Sequence, residues 1–472
     1  MTRIVTWGAL AVAGGLTFGC GNDAPNPVKE AFAETSASLA QPASLLRFGG
    51  TDQGVQLYRL PGLTPVPWRF ETVNDEPRAI LGFDPSLMGM YFVDSSGVFT
   101  MLDLTTGRVR LLDSTVARAS LSQTSEVFLV RNDGALGYRT ARRSSFWSDT
   151  LSRVPQRIWP TTNQRFTALF ETDAGPAVAL LSSEWDGTMR SIPDGPVTAT
   201  PWGDLLMIAT DSGLVTMDPV SGNEEFLRLR RDRITGVAAT PSAHLILIAT
   251  EAAELLLVNR FDPTSVLARR PLPGGVDEIR PDRLGRFVTL RPTAGNEVWV
   301  VHVTDLNADT GAEIPVQRLR GTWNADLPVI AADGTLLIRE GNAVVAYDPE
   351  TGAEAGRIAD APLGRWVTIP WDPQPPALQM AAQSTEPRVA RSEGLIYYAQ
   401  VSSTSNQAWA EDLAQRLRAG SVEATVLLPT SIEDRYRVVL GPFGSREQAD
   451  DMGRRLGRAY FVFSQEDTTT TR

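Results

Sequence analysis

Short apolar runs punctuate the middle of the chain: LLRFG from Leu45, MYFVD from Met90, VFLVR from Val127, FTALF from Phe166, LLMIA from Leu205, LILIA from Leu245, RFVTL from Arg286 and LLIRE from Leu336. Runs of this length, bounded by polar turns, predict buried strands. Their starts lie 37 to 50 residues apart. Upstream of seven of them lies a second strand pattern ending in a polar turn, as in ITGVAATPSAH and VDEIRPDRLG. The first run lacks such a partner, and RWVTIPWDP at 365–373 has the missing pattern.

Three further segments align without gaps: VFTMLDLTTGRVRLLD from Val98, GLVTMDPVSGNEEFLR from Gly213 and AVVAYDPETGAEAGRI from Ala343. They share Asp-x-x-[Ser/Thr]-Gly, at Asp103/Gly107, Asp218/Gly222 and Asp348/Gly352. An Asp side chain accepts from the backbone amide two residues on, and Gly supplies the positive φ of a tight hairpin. A four-stranded unit repeated about every 40 residues is the period of a propeller blade. The fold class is therefore mainly β: an eight-bladed β-propeller over 42–373, with seven blades as the alternative. Residues 365–373 would supply the missing strand of the first blade, leaving no open sheet edge.

The pattern changes after residue 394. LIYYAQV (395–401), VEATVLL (422–428), RYRVVLG (435–441) and AYFVF (459–463) alternate as strands. Asn406 to Arg418 has helical periodicity, with Ser405 as N-cap and Ala410, Leu413, Ala414 and Leu417 on one face. Ser445 caps a second helix over Arg446–Leu456. The order βαββαβ predicts a small α+β, ferredoxin-like domain at 395–465, with both helices on one sheet face. Strand alternation puts Tyr397, Ala399, Val401, Tyr436, Val438 and Leu440 under the helices. Tyr398, Gln400, Ser402, Arg437 and Val439 then fall on the open face.

Residues 374–394 are rich in Pro, Gln and Ala without periodicity and read as a linker; 466–472 read as a disordered tail. At the other end, Met1-Thr2-Arg3 precedes a mostly apolar run from Ile4 to Phe18. That is too short for a membrane span and suits a signal peptide over 1–19. The small polar stretch at 20–41 reads as a flexible tether, about 25 Å long on average.

Composition narrows the chemistry. The chain has 472 residues, a net charge of −11 and a single Cys. The acidic balance argues against nucleic acid as a partner. Lys29 is the one lysine, so no lysine falls in a folded region, and His244 and His302 are the two histidines. Both histidines lie in apolar strand patterns and read as packed strand residues. No metal centre, cofactor or catalytic set is indicated, and no enzyme activity is expected. The Asp-rich turns 131–134 and 331–334 read as ordinary turns rather than calcium sites. The basic cluster Arg228, Arg230, Arg231 and Arg233 is diluted by Glu224, Glu225 and Asp232 and reads as a solvated strand edge.

Three resemblances give these segments roles. Leu16-Thr17-Phe18-Gly19-Cys20 resembles a bacterial lipobox, with Thr17 where the pattern prefers Leu. That implies cleavage before Cys20 and lipidation of Cys20, with an ordinary secretory signal as the alternative. Gly21 follows, where inner-membrane retention typically places Asp, so the outer membrane is favoured. The Asp-x-x-Thr-Gly turns resemble the quinoprotein-like propeller repeat, without its terminal Trp. Ala399-Gln400-Val401-Ser402-Ser403-Thr404, the helix positions Ala410, Leu413 and Leu417, Tyr436-Arg437-Val438-Val439-Leu440-Gly441-Pro442-Phe443, and Ser445 with Ala449 resemble the SPOR domain. This chain departs from the SPOR pattern at Ser402 (usually Gly), Thr404 (usually Phe) and Val439 (commonly polar). The family binds peptidoglycan glycan strands stripped of stem peptides, often at the division septum. The resemblance implies glycan binding by Tyr398, Gln400, Ser402, Ser403 and Arg437. The whole then reads as a cell-envelope lipoprotein at the periplasmic face of the outer membrane. It would bind denuded glycan, scaffold unidentified envelope proteins through its propeller, and serve cell division or wall maintenance. The alternatives are an outer-membrane protein assembly factor and a propeller enzyme acting on the cell wall.

Overall fold

The computed structural model describes most of residues 42–373 and 395–466. The expected signal peptide, the tether with Cys20, the linker and the final residues lie outside the described residues, as does His244.

Eight four-stranded antiparallel sheets occupy 42–373 among the described residues. All eight apolar runs become the strand next to the innermost strand of a sheet, from Ser44–Phe48 (beside Arg365–Ile369) and Gly89–Asp94 through to Leu336–Glu340. These strands are apolar at nearly every position because both faces of each sheet pack on a neighbouring sheet. Apolar clusters join each sheet to the next. Phe128 of one sheet stacks on Phe166 of the following one with ring centroids 4.2 Å apart. Leu45 and Tyr58 of the first sheet pack with Leu337 and Val344 of the eighth. The succession therefore returns on itself, which is a propeller-like architecture.

The first sheet is completed as the sequence pattern anticipates. Its strands run Thr64–Val66, Val55–Arg59, Ser44–Phe48 and then Arg365–Ile369. The last two pair antiparallel from Ser44 opposite Ile369 to Phe48 opposite Arg365. The repeated turns also form as expected. Asp103, Asp218 and Asp348 accept from the amides of Thr105, Val220 and Glu350 at 2.8, 2.7 and 2.8 Å. Gly107, Gly222 and Gly352 take φ of 75°, 72° and 70°, which L side chains rarely adopt.

A feature with no sequence signature runs along the innermost strands. Arg365 donates to the carbonyl of Pro77 in the next sheet at 2.7 Å. Arg78 donates to Val116 (3.0 Å) and Ala117 (3.2 Å) of the sheet after it. Arg118 then reaches Gln156 at 3.0 Å, and Arg157 reaches Val197 at 3.4 Å. Thr235 bonds the carbonyl of Val276, and Arg280 donates to Asn324 at 2.7 Å. Each bond satisfies a carbonyl near the start of the neighbouring inner strand, so side chains stitch sheet to sheet.

The C-terminal domain has the strand order Ala424–Leu427, Tyr436–Phe443, Leu395–Thr404, Phe461–Glu466, all antiparallel. The helices Gln407–Ala419 and Arg446–Leu456 cover one face. Ala410, Leu413, Ala414 and Leu417 are buried against Ala399, Val438, Leu440 and Val462. Ser445 caps the second helix by accepting from the Gln448 amide at 3.3 Å, while the Gln448 side chain accepts from Gly444 at 3.1 Å. Ser405 lies outside the described residues.

Candidate functional site: the open sheet face of the C-terminal domain

The face away from the helices is built by residues that sit opposite one another in the ladder. Tyr398 faces Phe463 and Gln400 faces Phe461 across one strand pair. Ser403 faces Arg437, and Gln400 faces Val439, across the other. Directly opposed residues point to the same side of a sheet. This places Tyr398, Gln400 and Arg437 on the open face, as the alternation expects, and adds Ser403, which strict alternation would have turned toward the helices and only the SPOR resemblance put in the site.

Ser402 departs from that expectation. The pairing shifts between Gln400 and Ser402, so the strand bulges at Val401. One extra residue reverses the alternation beyond it. Ser402 then sits opposite Val438, a core residue, and is 2% exposed. It belongs to the buried side and is not positioned to meet a ligand on the open face. Val439 keeps the expected side but is fully buried, so it presents nothing there either.

Two aromatic residues join the site that sequence reasoning passed over. Phe463 meets both Tyr398 and Arg437: its ring is 5.7 Å from Tyr398 at 26°, and the Arg437 guanidinium lies 5.4 Å from its centroid. Phe461, 51% exposed, stands beside Gln400. Their signal was the alternation in AYFVF, where Val462 points inward. Aromatic faces, a guanidinium, an amide and a hydroxyl together can stack on the apolar faces of sugar rings and bond their hydroxyls.

The propeller-like region offers less chemistry. His302 ends a strand and packs edge-on against Phe287, centroids 4.9 Å apart. The turns at Gly134 and Gly334 close by hydrogen bonds from their amides to the carbonyls of Arg131 and Ala331 at 3.0 and 2.9 Å. Trp68, Trp202, Trp299, Trp366 and Trp371 are buried. Asp282 is 4% exposed, and burial pushes its carboxyl up to about 6 against the pull of Arg286 and three backbone amides. Among the described residues no three His, Cys, Asp or Glu converge as a metal site. Nor is any described helix long and apolar enough to cross a membrane.

Residues 396–462 match the family model described as SPOR domain. This segment is a SPOR domain, which indicates peptidoglycan binding and a cell-envelope protein. No curated protein matches the chain in sequence. Among solved structures, dihydro-heme d1 dehydrogenase NirN in complex with DHE is 14% identical, with 69% of this chain and 74% of that chain covered and a TM-score of 0.49. Citrobacter koseri AztD is 11% identical, with 70% and 98% covered and a TM-score of 0.49. Likenesses of this strength say nothing about activity.

Proposed function

We propose that this chain is a lipid-anchored envelope protein that holds the cell wall through its SPOR domain and protein partners through an eight-bladed propeller. The observation that carries the reading is the cluster of Tyr398, Phe463 and Arg437 on the open face of the SPOR domain. Its ligand is peptidoglycan glycan stripped of stem peptides. Cys20 is the lipidated residue, and the protein sits at the periplasmic face of the outer membrane, in cell division or wall maintenance. The propeller acts as a scaffold and not as an enzyme. Support for eight blades comes from the eight sheets and the packing of the eighth on the first.

The test is cosedimentation of the purified chain with wall sacculi. Amidase treatment that strips stem peptides should increase the pelleted fraction. Equal pelleting with intact and stripped sacculi would remove denuded glycan as the ligand, and no pelleting with either would remove wall binding.

A further inference from the structure

Three of the stitching arginines stand together. Arg78, Arg118 and Arg157 come from three consecutive inner strands: Pro77–Asp84, Val116–Leu121 and Arg157–Pro160. Each lies within the first three positions of its strand, so all three stand at the same end of the ring. All three are exposed. Among the described residues none forms an ion pair. By contrast, Arg365 on one side of them pairs with Asp326 at 2.8 Å, and Arg153 nearby pairs with Asp173 at 3.5 Å.

A guanidinium has five N–H donors in a planar fork. The carbonyl bonds of Arg78 engage one nitrogen, those of Arg118 two and that of Arg157 one. Among the described residues the remaining donors make no hydrogen bond, and they belong to exposed side chains that the carbonyl bonds tether. Such pre-positioning removes much of the ordering cost that a long side chain meets on binding. The arc is thus a row of three fixed, unpaired cations on a chain of net charge −11. An acidic partner is repelled elsewhere and steered here.

We propose that Arg78, Arg118 and Arg157 form a docking arc for an extended acidic peptide of a partner protein. The neighbouring inner strands approach within 8 Å between Cα atoms. In an extended peptide, side chains on one face repeat roughly every 7 Å. Carboxylates at alternate positions therefore have a repeat close to the separation of the strands that carry the arginines, and a guanidinium fork suits a carboxylate. This gives a chemistry to the scaffold role proposed above and rests on it.

The test uses fluorescence anisotropy with the full chain and three probes: a labelled peptide alternating Glu and Ser, its Gln counterpart, and inorganic polyphosphate. The Glu peptide should bind and weaken as salt rises, and the Gln peptide should not bind. Arg118→Gln should weaken binding several-fold, and Arg78→Gln with Arg118→Gln and Arg157→Gln at least tenfold. Because these residues also join sheets, Arg157→Gln alone, whose single bond is the longest at 3.4 Å, is the control least tied to folding. It too should weaken binding, with an unchanged melting temperature. Unchanged affinity in the variants, or no binding of the Glu peptide, overturns the proposal. Polyphosphate bound in preference to the peptide reassigns the arc to phosphate and overturns it as well. Sacculus pelleting in the same preparation shows separately whether wall binding stands.

Discussion

Arg47 and Asp360, 313 residues apart, form an ion pair at 2.8 Å in which Asp360 is wholly buried. The same carboxylate accepts from Trp366 Nε1 at 2.8 Å and from the Gly364 amide at 3.0 Å, and Arg339 adds a further bond. Burial alone would raise its pKa; the bonds from Trp366 and Arg47 outweigh burial and hold it below the usual carboxylate range. The contribution is therefore present above the unfolded value of about 4 and lost as pH falls below it. Asp360→Ala strands two buried guanidiniums where the first and eighth sheets meet. A loss of about 3–5 kcal/mol is expected, measured by urea unfolding at pH 7. A change under about 1 kcal/mol would place the closure energy elsewhere.

A chain ending near residue 364 lacks the strand Arg365–Ile369 and exposes the edge of Ser44–Phe48. Open edges recruit other chains. This protein should aggregate or melt without cooperativity, whereas one ending near 375 should melt as a unit. Matching melting curves would rule out ring closure by this strand.

Asp282 titrates at about 6 in the folded state and near 4 unfolded. The folded state holds the proton more tightly, so stability from this group is full below about 4 and lost as pH rises through 6. Asp282→Asn retains an acceptor for the Arg286 amide, now 3.0 Å away, and abolishes the titration. Between pH 4 and 7 the wild type should lose on the order of 2 kcal/mol relative to the variant. Parallel stability-against-pH curves would show that the buried carboxyl titrates normally.

Gln400→Ala with Arg437→Ala should weaken sacculus binding on the order of tenfold, through the loss of two or more ligand hydrogen bonds. Phe463→Ala should act in the same direction by releasing both Tyr398 and Arg437. The opposite result is expected at Ser402: Ser402→Ala, on the buried side, should leave binding unchanged. Cosedimentation that ranks Ser402→Ala with the double variant would contradict the bulged register.

Cys20→Ser should abolish lipid attachment and leave a soluble or uncleaved precursor. Detergent phase partitioning identical to wild type would remove the lipid anchor while leaving both domains untouched.

Much of this architecture was legible because its signals are local. The eight runs from Leu45 to Leu336 each fit one strand, and the orphan pattern at 365–373 pointed to its partner by elimination. The turns at Asp103, Asp218 and Asp348 announce themselves by side-chain chemistry within four residues. What escaped were features set by pairing across distance. The bulge at Val401 depends on how Leu395–Thr404 registers with Tyr436–Phe443, and strict alternation misplaced Ser402. Phe463 was readable as an outward residue of its strand, but its contact with Tyr398 follows from a pairing with a strand more than sixty residues away. The arginine stitches join residues about 40 positions apart with no motif at either end, because a backbone carbonyl accepts from any suitably placed donor.

The paired strands Ser44–Phe48 and Arg365–Ile369 also determine how the molecule responds to tension. The chain from the N-terminal side enters beside Ser44, and the chain toward the SPOR domain leaves beyond Ile369, directly opposite. Pulling on both tails loads this ladder from one end, so its bonds would peel one after another instead of sharing the force. Asp372 stands at that fork, accepting from the Ser44 hydroxyl at 3.0 Å and pairing with Arg59 at 3.2 Å. In the proposed role, with a membrane at one tail and the wall at the other, these contacts would be the first to feel the strain.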